Sequence, residues 1–309
     1  MAPSRNRPLK VGVQLPEIER EVRWPELRAM AQTAEDVGLD SLWVGDHLLF
    51  RFSDRPSRGP WESWSMLAAL AAATSRVEIG PLVAATSFHA PAMIAKKAAT
   101  IDEISGGRLI LGLGAGWAEA EYRAYGFPYD RRVSRFEEAF TIIRTLLRDG
   151  AIDFDGQFYQ ARDCELVPRG PRPGGPPLMV GSIGERMLSI TAPHVDAWNA
   201  WYDWFGNTPR GIVALNESVD AAARAAGREP AAIARTAAVL VRLAGGTGRV
   251  QGERPQAEAP AIAGTAEQIA AGLAAFAGVG ISHLQLVLDP ITARSIEALG
   301  PVLEILDRG

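Results

Sequence analysis

Gly45-Asp46-His47 closes a short apolar run, Ser41-Leu42-Trp43-Val44, and sets an imidazole beside a carboxylate. An imidazole titrates near neutrality, which suits His47 to general acid or base work. A satisfied loop histidine bonded to its neighbour is the plainer alternative. Ala84-Ala85-Thr86-Ser87-Phe88-His89 follows the next apolar run. Thr86, Ser87 and His89 offer polar atoms to a flat heterocycle, although His89 also reads as a residue at a helix start. Neither histidine belongs to an H-x-H or H-E-x-x-H pattern, and Cys164 is the only cysteine. A metal centre and an internal disulfide are therefore disfavoured.

Two glycine-rich segments also merit a chemical reading. Gly112-Leu113-Gly114-Ala115-Gly116-Trp117 superficially matches a dinucleotide fingerprint. That motif needs an acidic residue about 20 positions further on, where Arg132-Val133-Ser134 stand instead. Close approach of a planar ligand to small residues at a strand end fits better, with simple packing as the alternative. Val180-Gly181-Ser182-Ile183-Gly184-Glu185 precedes a helix. Exposed N–H groups there suit an anion such as phosphate, and a tight turn is the bland reading.

The elements that must position these residues alternate along the chain. Leu9, Val11, Val13 and Leu15 alternate with polar or small residues, a strand pattern, and Trp24 to Gly38 follows as a helix. Further strands are expected at 41–45, 77–83, 108–114, 177–181, 196–201, 235–243 and 283–288. Helices are expected at 63–74, 91–105 and 134–148, from Gly184, at 209–227, from the capping box Thr265-x-x-Gln268, and around Ile296 to Leu306. Eight strand–helix repeats predict a closed (β/α)8 barrel over an open doubly wound sheet. One domain spans 1–309, with an insertion after the fourth strand at about 117–176 that holds a hairpin around Asp155-Gly156. A mobile loop is expected at about 245–264. In such barrels the active site forms at the C-terminal ends of the strands, where all the segments above lie.

Composition narrows the function classes. The 309 residues are 47% apolar and 22% charged, as in ordinary globular proteins. Net charge is −4 and no basic stripe tracks a phosphate backbone, which argues against nucleic acid. The longest uncharged run, Ile79 to Ala95, is broken by Pro81, His89 and Pro91, so no membrane helix is expected. No apolar stretch follows Arg5, Arg7 and Lys10, so no secretory signal is expected and the cytoplasm is the expected location.

Taken in order, several segments resemble the luciferase-like monooxygenase family. They are Gly38 to His47, Ile104 to Trp117, Glu121-Tyr122 with Gly126-Phe127-Pro128, Arg135-Phe136-Glu137-Glu138, Phe154 to Tyr159, Asp196 to Asn199, and Gly264-Thr265-x-x-Gln268. The resemblance implies a barrel that binds a flavin or deazaflavin at its C-terminal face, and commonly a homodimer. By position it implies that Asp46 and His47 face the ring and that Gly181 to Gly184 hold the phosphate. It places a non-proline cis peptide near Leu82-Val83. Ile104 to Trp117 with the 122–128 segment is more similar to the branch that uses coenzyme F-420, with FMN as the alternative. Some deazaflavin members carry a catalytic Glu where this chain has Trp117, which leaves His47 as the candidate catalytic residue. The expected coenzyme-binding residues are Asp46, Leu82, Val83, Thr86, Gly114, Ala115, Gly116, Val180, Gly181, Ser182, Ile183 and Gly184. The function so implied is hydride transfer to or from a small organic substrate. An FMN-dependent monooxygenase and a non-catalytic coenzyme-binding protein are the alternatives.

Overall fold

A computed structural model of the chain describes residues 6–249 and 259–308. β1 (Lys10–Gln14) leads into α1 (Trp24–Val37), β2 (Ser41–Val44) into α2 (Ser63–Ala73), and β3 (Glu78–Pro81) with β4 (Ala84–Ala85) into α3 (Pro91–Ser105). β5 (Leu111–Gly114) is followed by α4 (Glu119–Tyr125), α5 (Arg132–Asp149), β6 (Ala151–Asp155) and β7 (Gln160–Glu165). Then come β8 (Leu178–Gly181), α6 (Glu185–Thr191), β9 (Ala197–Ala200) and α7 (Pro209–Ala225). β10 (Ala234–Arg242), β11 (Ile262–Ala263), α8 (Ala266–Ala277), β12 (Ile281–Asp289), α9 (Ala293–Glu297) and α10 (Gly300–Arg308) complete the chain.

The main sheet runs β3-β2-β1-β12-β10-β9-β8-β5-β4, all parallel. β3 and β4 are two halves of one strand, interrupted at Leu82–Val83, whose peptide bond is cis at the expected place. The lower half also bridges Ile79 to Leu109, ahead of β5, while the upper half pairs Ala84 and Ala85 with Leu113 and Gly114. Counting the two halves as one, the ring has eight strands among the described residues and closes as a (β/α)8 barrel.

Local chemistry explains the elements. α1 and α3 begin with proline at the first turn and end on Gly38 and Gly106 in the left-handed region. Thr265 and Gln268 form the expected capping box of α8. The strands are buried on both faces, as a parallel sheet covered by helices requires; eight of the nine residues of β12 are buried. The stretch 117–176 is two excursions flanking a barrel helix. α5 packs between α3 and α6, with Phe136, Phe140, Ile143 and Leu147 buried on its inner face. The hairpin β6–β7 is antiparallel as expected. No described helix is long and apolar enough to cross a membrane.

Trp43 reaches across the barrel interior and is fully buried. Its indole N–H donates to Ser41 Oγ at 2.7 Å, and that hydroxyl meets His283 Nε2 at 2.7 Å. Glycines make room for the ring. A Cβ on Gly12 would lie 1.9 Å from Ser41 Oγ, and one on Gly80 would lie 2.7 Å from Trp43 Cζ3. Gly12→Ala is expected to destabilise the fold by about 1–3 kcal/mol, read from urea denaturation; no loss would mean the bore has slack.

Burial, with a smaller push from Lys10, lowers the His283 imidazole to about 3. The folded state keeps this ring neutral, while the unfolded chain protonates it below about 6.5. Its contribution to stability is full above that pH and is lost as pH falls toward 3. His283→Asn is expected to flatten the acid limb of the stability curve by up to about 1.4 kcal/mol per pH unit. An unchanged slope in denaturation series at stepped pH would refute this.

Candidate active site

Loops after the C-terminal ends of the strands meet over the barrel mouth and enclose a cavity of about 430 Å³. The loop after β2 contributes Asp46 and His47, and the broken third strand contributes Leu82 and Val83. Gly114, Ala115 and Gly116 line the cavity beyond β5, and Gly181 to Gly184 line it beyond β8. Thr86 and Val180 do not reach it. Thr86 is buried and donates to the Gly114 carbonyl at 3.3 Å, and Val180 is buried within its strand. The other expected coenzyme-binding residues all line this one cavity.

Asp46 has a structural task. Its Oδ1 accepts from Ser63 Oγ at 2.6 Å and its Oδ2 from the Ala85 amide at 2.8 Å. The carboxylate therefore ties the end of β2 to α2 and to the upper half of the broken strand. His89 stands outside the cavity, where its Nε2 accepts the indole N–H of Trp64 at 3.0 Å. Val83 explains two glycines: a Cβ on Gly114 would lie 2.8 Å from Val83 Cγ2, and one on Gly181 would lie 3.1 Å from the same side chain.

His47 is positioned by Glu121, a buried residue of α4. His47 Nδ1 donates to Glu121 Oε2 at 2.9 Å, and Oε1 accepts from the amides of Leu48 and Leu49 at 2.6 and 3.0 Å. One carboxylate thus holds the imidazole and the loop that carries it. With a proton on Nδ1, Nε2 is the reactive nitrogen, and it lies 3.8 Å from Glu17 Oε1. Phe50 and Trp117 pack against the ring at 4.7 and 5.4 Å and line the cavity. Burial by itself favours neutral His47, but Glu17, the bond to Glu121 and the charge of Asp46 together raise its pKa above the ordinary value. Its stabilising contribution is full below about 6.5 and is lost as pH rises through the raised value.

A second buried charge group borders the cavity. Arg249, after β10, donates from Nη2 to Glu17 Oε2 at 3.0 Å and from Nε to Glu19 Oε1 at 2.7 Å, and lies over the Trp201 ring. Burial opposes the Glu19 charge, but Arg249 and backbone amides more than offset it and lower the carboxyl's pKa. Arg249 lies in the stretch expected to be a mobile loop. Residues 250–258 of that loop lie outside the described residues. The preceding flank is held by Asp289, which accepts from the amides of Thr247 and Gly248. The following flank bonds to Asn207 through the Pro260 carbonyl and adds β11 to β10.

Reading the sequence missed Glu17, Glu121 as the anchor of His47, Arg132 and Arg249. Glu17 follows the end of β1, so the strand-end rule that selected Asp46 and His47 reaches it as well. Glu121 was visible only as part of a motif. Arg249 carried no signal among glycines and loop residues.

The sequence profile of the luciferase-like monooxygenase family matches residues 9–246. The chain belongs to that family. Among its relatives, a 5,10-methylenetetrahydromethanopterin reductase of Archaeoglobus fulgidus is 31% identical over 222 residues, covering 71% of this chain and 60% of the relative. A pyrimidine monooxygenase RutA of Caulobacter segnis is 32% identical over 173 residues, covering 54% of this chain and 48% of the relative. The match thus spans half to three fifths of these relatives' length. A solved F-420-dependent secondary alcohol dehydrogenase, in complex with an F-420–acetone adduct, superposes with a TM-score of 0.81 at 20% identity, covering 96% of this chain and 99% of the other. That likeness shares the barrel fold.

Within this luciferase-like chain, the Glu121–His47 pair makes a direct prediction. Glu121→Gln keeps the shape but removes the charge, and is expected to lower the His47 pKa. An NMR titration of the His47 ring protons checks it; an unmoved midpoint would show that Glu121 does not set the charge state.

Proposed function

We propose that the chain is an oxidoreductase that moves a hydride between coenzyme F-420 and a small organic substrate. The observation that carries this reading is His47, held through Nδ1 by Glu121 at the wall of a cavity at the barrel's C-terminal face. The cavity suits a planar coenzyme: its volume of about 430 Å³ falls within the roughly 300–1,000 Å³ of small-molecule sites. Leu82 and Val83 offer an apolar surface to a ring, backed by Gly114 and Gly181. Gly181 to Gly184, with Arg132 on the same cavity, offer amides and a positive charge to a phosphate. The sequence likeness of 104–128 to the deazaflavin branch and the fold shared with an F-420-dependent dehydrogenase support this coenzyme.

When bound, the coenzyme supplies or accepts the hydride. The protein's part is to place the substrate oxygen and handle the proton. His47 Nε2 gives a proton to that oxygen as a carbonyl is reduced, or takes one as an alcohol is oxidised. Glu121 keeps the other nitrogen protonated and stabilises the imidazolium. Phe50 and Trp117 shield the ring from water. Asp46 fixes the loop from behind.

A relative named as a pyrimidine monooxygenase favours one other reading, an FMN-dependent monooxygenase. Fluorescence titration with F-420 and separately with FMN decides between them. Tight F-420 binding with negligible FMN binding is expected. The reverse, with oxygen consumed by the protein and reduced FMN, would replace the reading. His47→Ala is expected to cut F-420-dependent turnover by about 10²–10⁴ with coenzyme affinity retained. Wild-type turnover in that variant would remove His47 from the chemistry.

A further inference from the structure

The barrel mouth has two electrically different sides. In the ring of strands, β1 and β8 stand opposite each other, with three strands between them in either direction when β3 and β4 are counted as one. The β8 side carries the Gly181 to Gly184 loop, with Arg132 beside it beyond β5. The β1 side carries Glu17, flanked by His47 and Arg249.

On the β1 side every charge has a partner of its own. Arg249 is spanned by Glu17 and Glu19. Glu121 holds His47 and two loop amides, and Asp46 holds Ser63 and Ala85. A carboxylate or phosphate entering here would have to take the buried Arg249 from one buried and one partly buried carboxylate. An ammonium would have to take one of those carboxylates from its own donors. Breaking such a pair leaves a buried charge uncompensated.

One neutral polar atom stands apart. Gln14 is 4% exposed, lines the cavity, and donates from Nε2 to Glu17 Oε2 at 3.2 Å, yet its Oε1 has no hydrogen-bond partner among the described residues. A buried acceptor without a donor is costly, so this atom points to a ligand with an O–H or N–H. Gln14 and His47 Nε2 flank the two oxygens of the same Glu17 carboxylate. A hydroxyl suits that corner, since its one O–H can donate to Gln14 Oε1 on binding and turn to the unprotonated Nε2 of neutral His47 for transfer. The neighbouring lining is apolar: Ile18, Phe50, Trp117, Trp201 and Trp204.

We propose that the substrate of this enzyme is an uncharged, largely apolar alcohol, or the carbonyl compound it interconverts with. Gln14 and His47 place its oxygen, and the Glu17–Arg249–Glu19 group turns anions away. This rests on the hydride-transfer reading above. In the oxidative direction the alcohol's C–H bond breaks and its electron pair leaves as hydride to the oxidised deazaflavin. The O–H proton passes to Nε2 of neutral His47, and the carbonyl forms. Reduction is the reverse.

Three probes with one ring and different charges test the class: cyclohexanol, cyclohexanecarboxylate and cyclohexylammonium. Ligand-observed NMR titrations would be run on the protein alone and on the protein saturated with F-420. Cyclohexanol is expected to bind at least about tenfold more tightly than either charged probe, since each of those must break a buried pair. A charged probe that binds as well as cyclohexanol, or no cyclohexanol binding in either form, overturns the proposal. Glu19→Gln releases one arm of Arg249 and is expected to raise carboxylate affinity about tenfold, the worth of a charge-assisted bond, with cyclohexanol unaffected. Gln14→Leu is expected to weaken cyclohexanol about fivefold while F-420 binding holds. Unchanged affinities in folded forms of both variants would remove these residues from the selection. Failure of F-420 to bind would sink the coenzyme reading, and the probe ranking on the protein alone would still decide the charge class.

Discussion

A parallel barrel must close, and here it closes around a strand that is broken in two. The lower half keeps the ring together through Ile79 and Leu109, and the upper half resumes beside β5. The interruption turns Val83 into the mouth, and that side chain fits only because Gly114 and Gly181 present no Cβ to it. The Ala85 amide at the restart is taken by Asp46, which also holds α2 through Ser63. The loops that carry the polar groups of the mouth are therefore tied to the place where the scaffold departs from regularity.

Above that break the mouth is organised by buried carboxylates. Such groups are costly to desolvate and persist where donors satisfy them. Glu121 is an example, with an imidazole and two amides on its two oxygens. The cost of burial is met by bonds that also fix a loop, so the charge state of His47 and the shape of its loop are set together. Glu17 and Glu19 likewise fix the approach of Arg249 to the mouth.

The barrel was legible because its signals are local and repeated. Alternation in Leu9 to Leu15, the helix-ending Gly38, and the Thr265–Gln268 box each depend on near neighbours and each appeared in the structure. The motif around Ile104 to Arg108 was legible as a resemblance, yet its arginine works at the opposite end of the barrel from the mouth. Arg108 donates to the carbonyls of Ala71, Thr74 and Val77. The cavity was legible as a set of strand ends and not as a set of contacts. His47 and Glu121 are separated by 74 positions, and Arg249 and Glu17 by 232. No periodicity or spacing joins residues that far apart. Thr86 lies off the cavity for a related reason: a hydroxyl at a strand end turns to the nearest carbonyl unless the backbone aims it elsewhere.

The arginine over Trp201 has an architectural consequence. Arg249 and its two carboxylates all sit on connecting segments, beyond the ends of β10 and β1. The plug of the barrel, Trp43 with Ser41 and His283, lies on the strands themselves. The polarity of the entrance is thus written in interchangeable parts, while rigidity is written in the fixed frame. A protein arranged this way can be recast for differently charged molecules by exchanging two connecting segments, with the frame inherited intact.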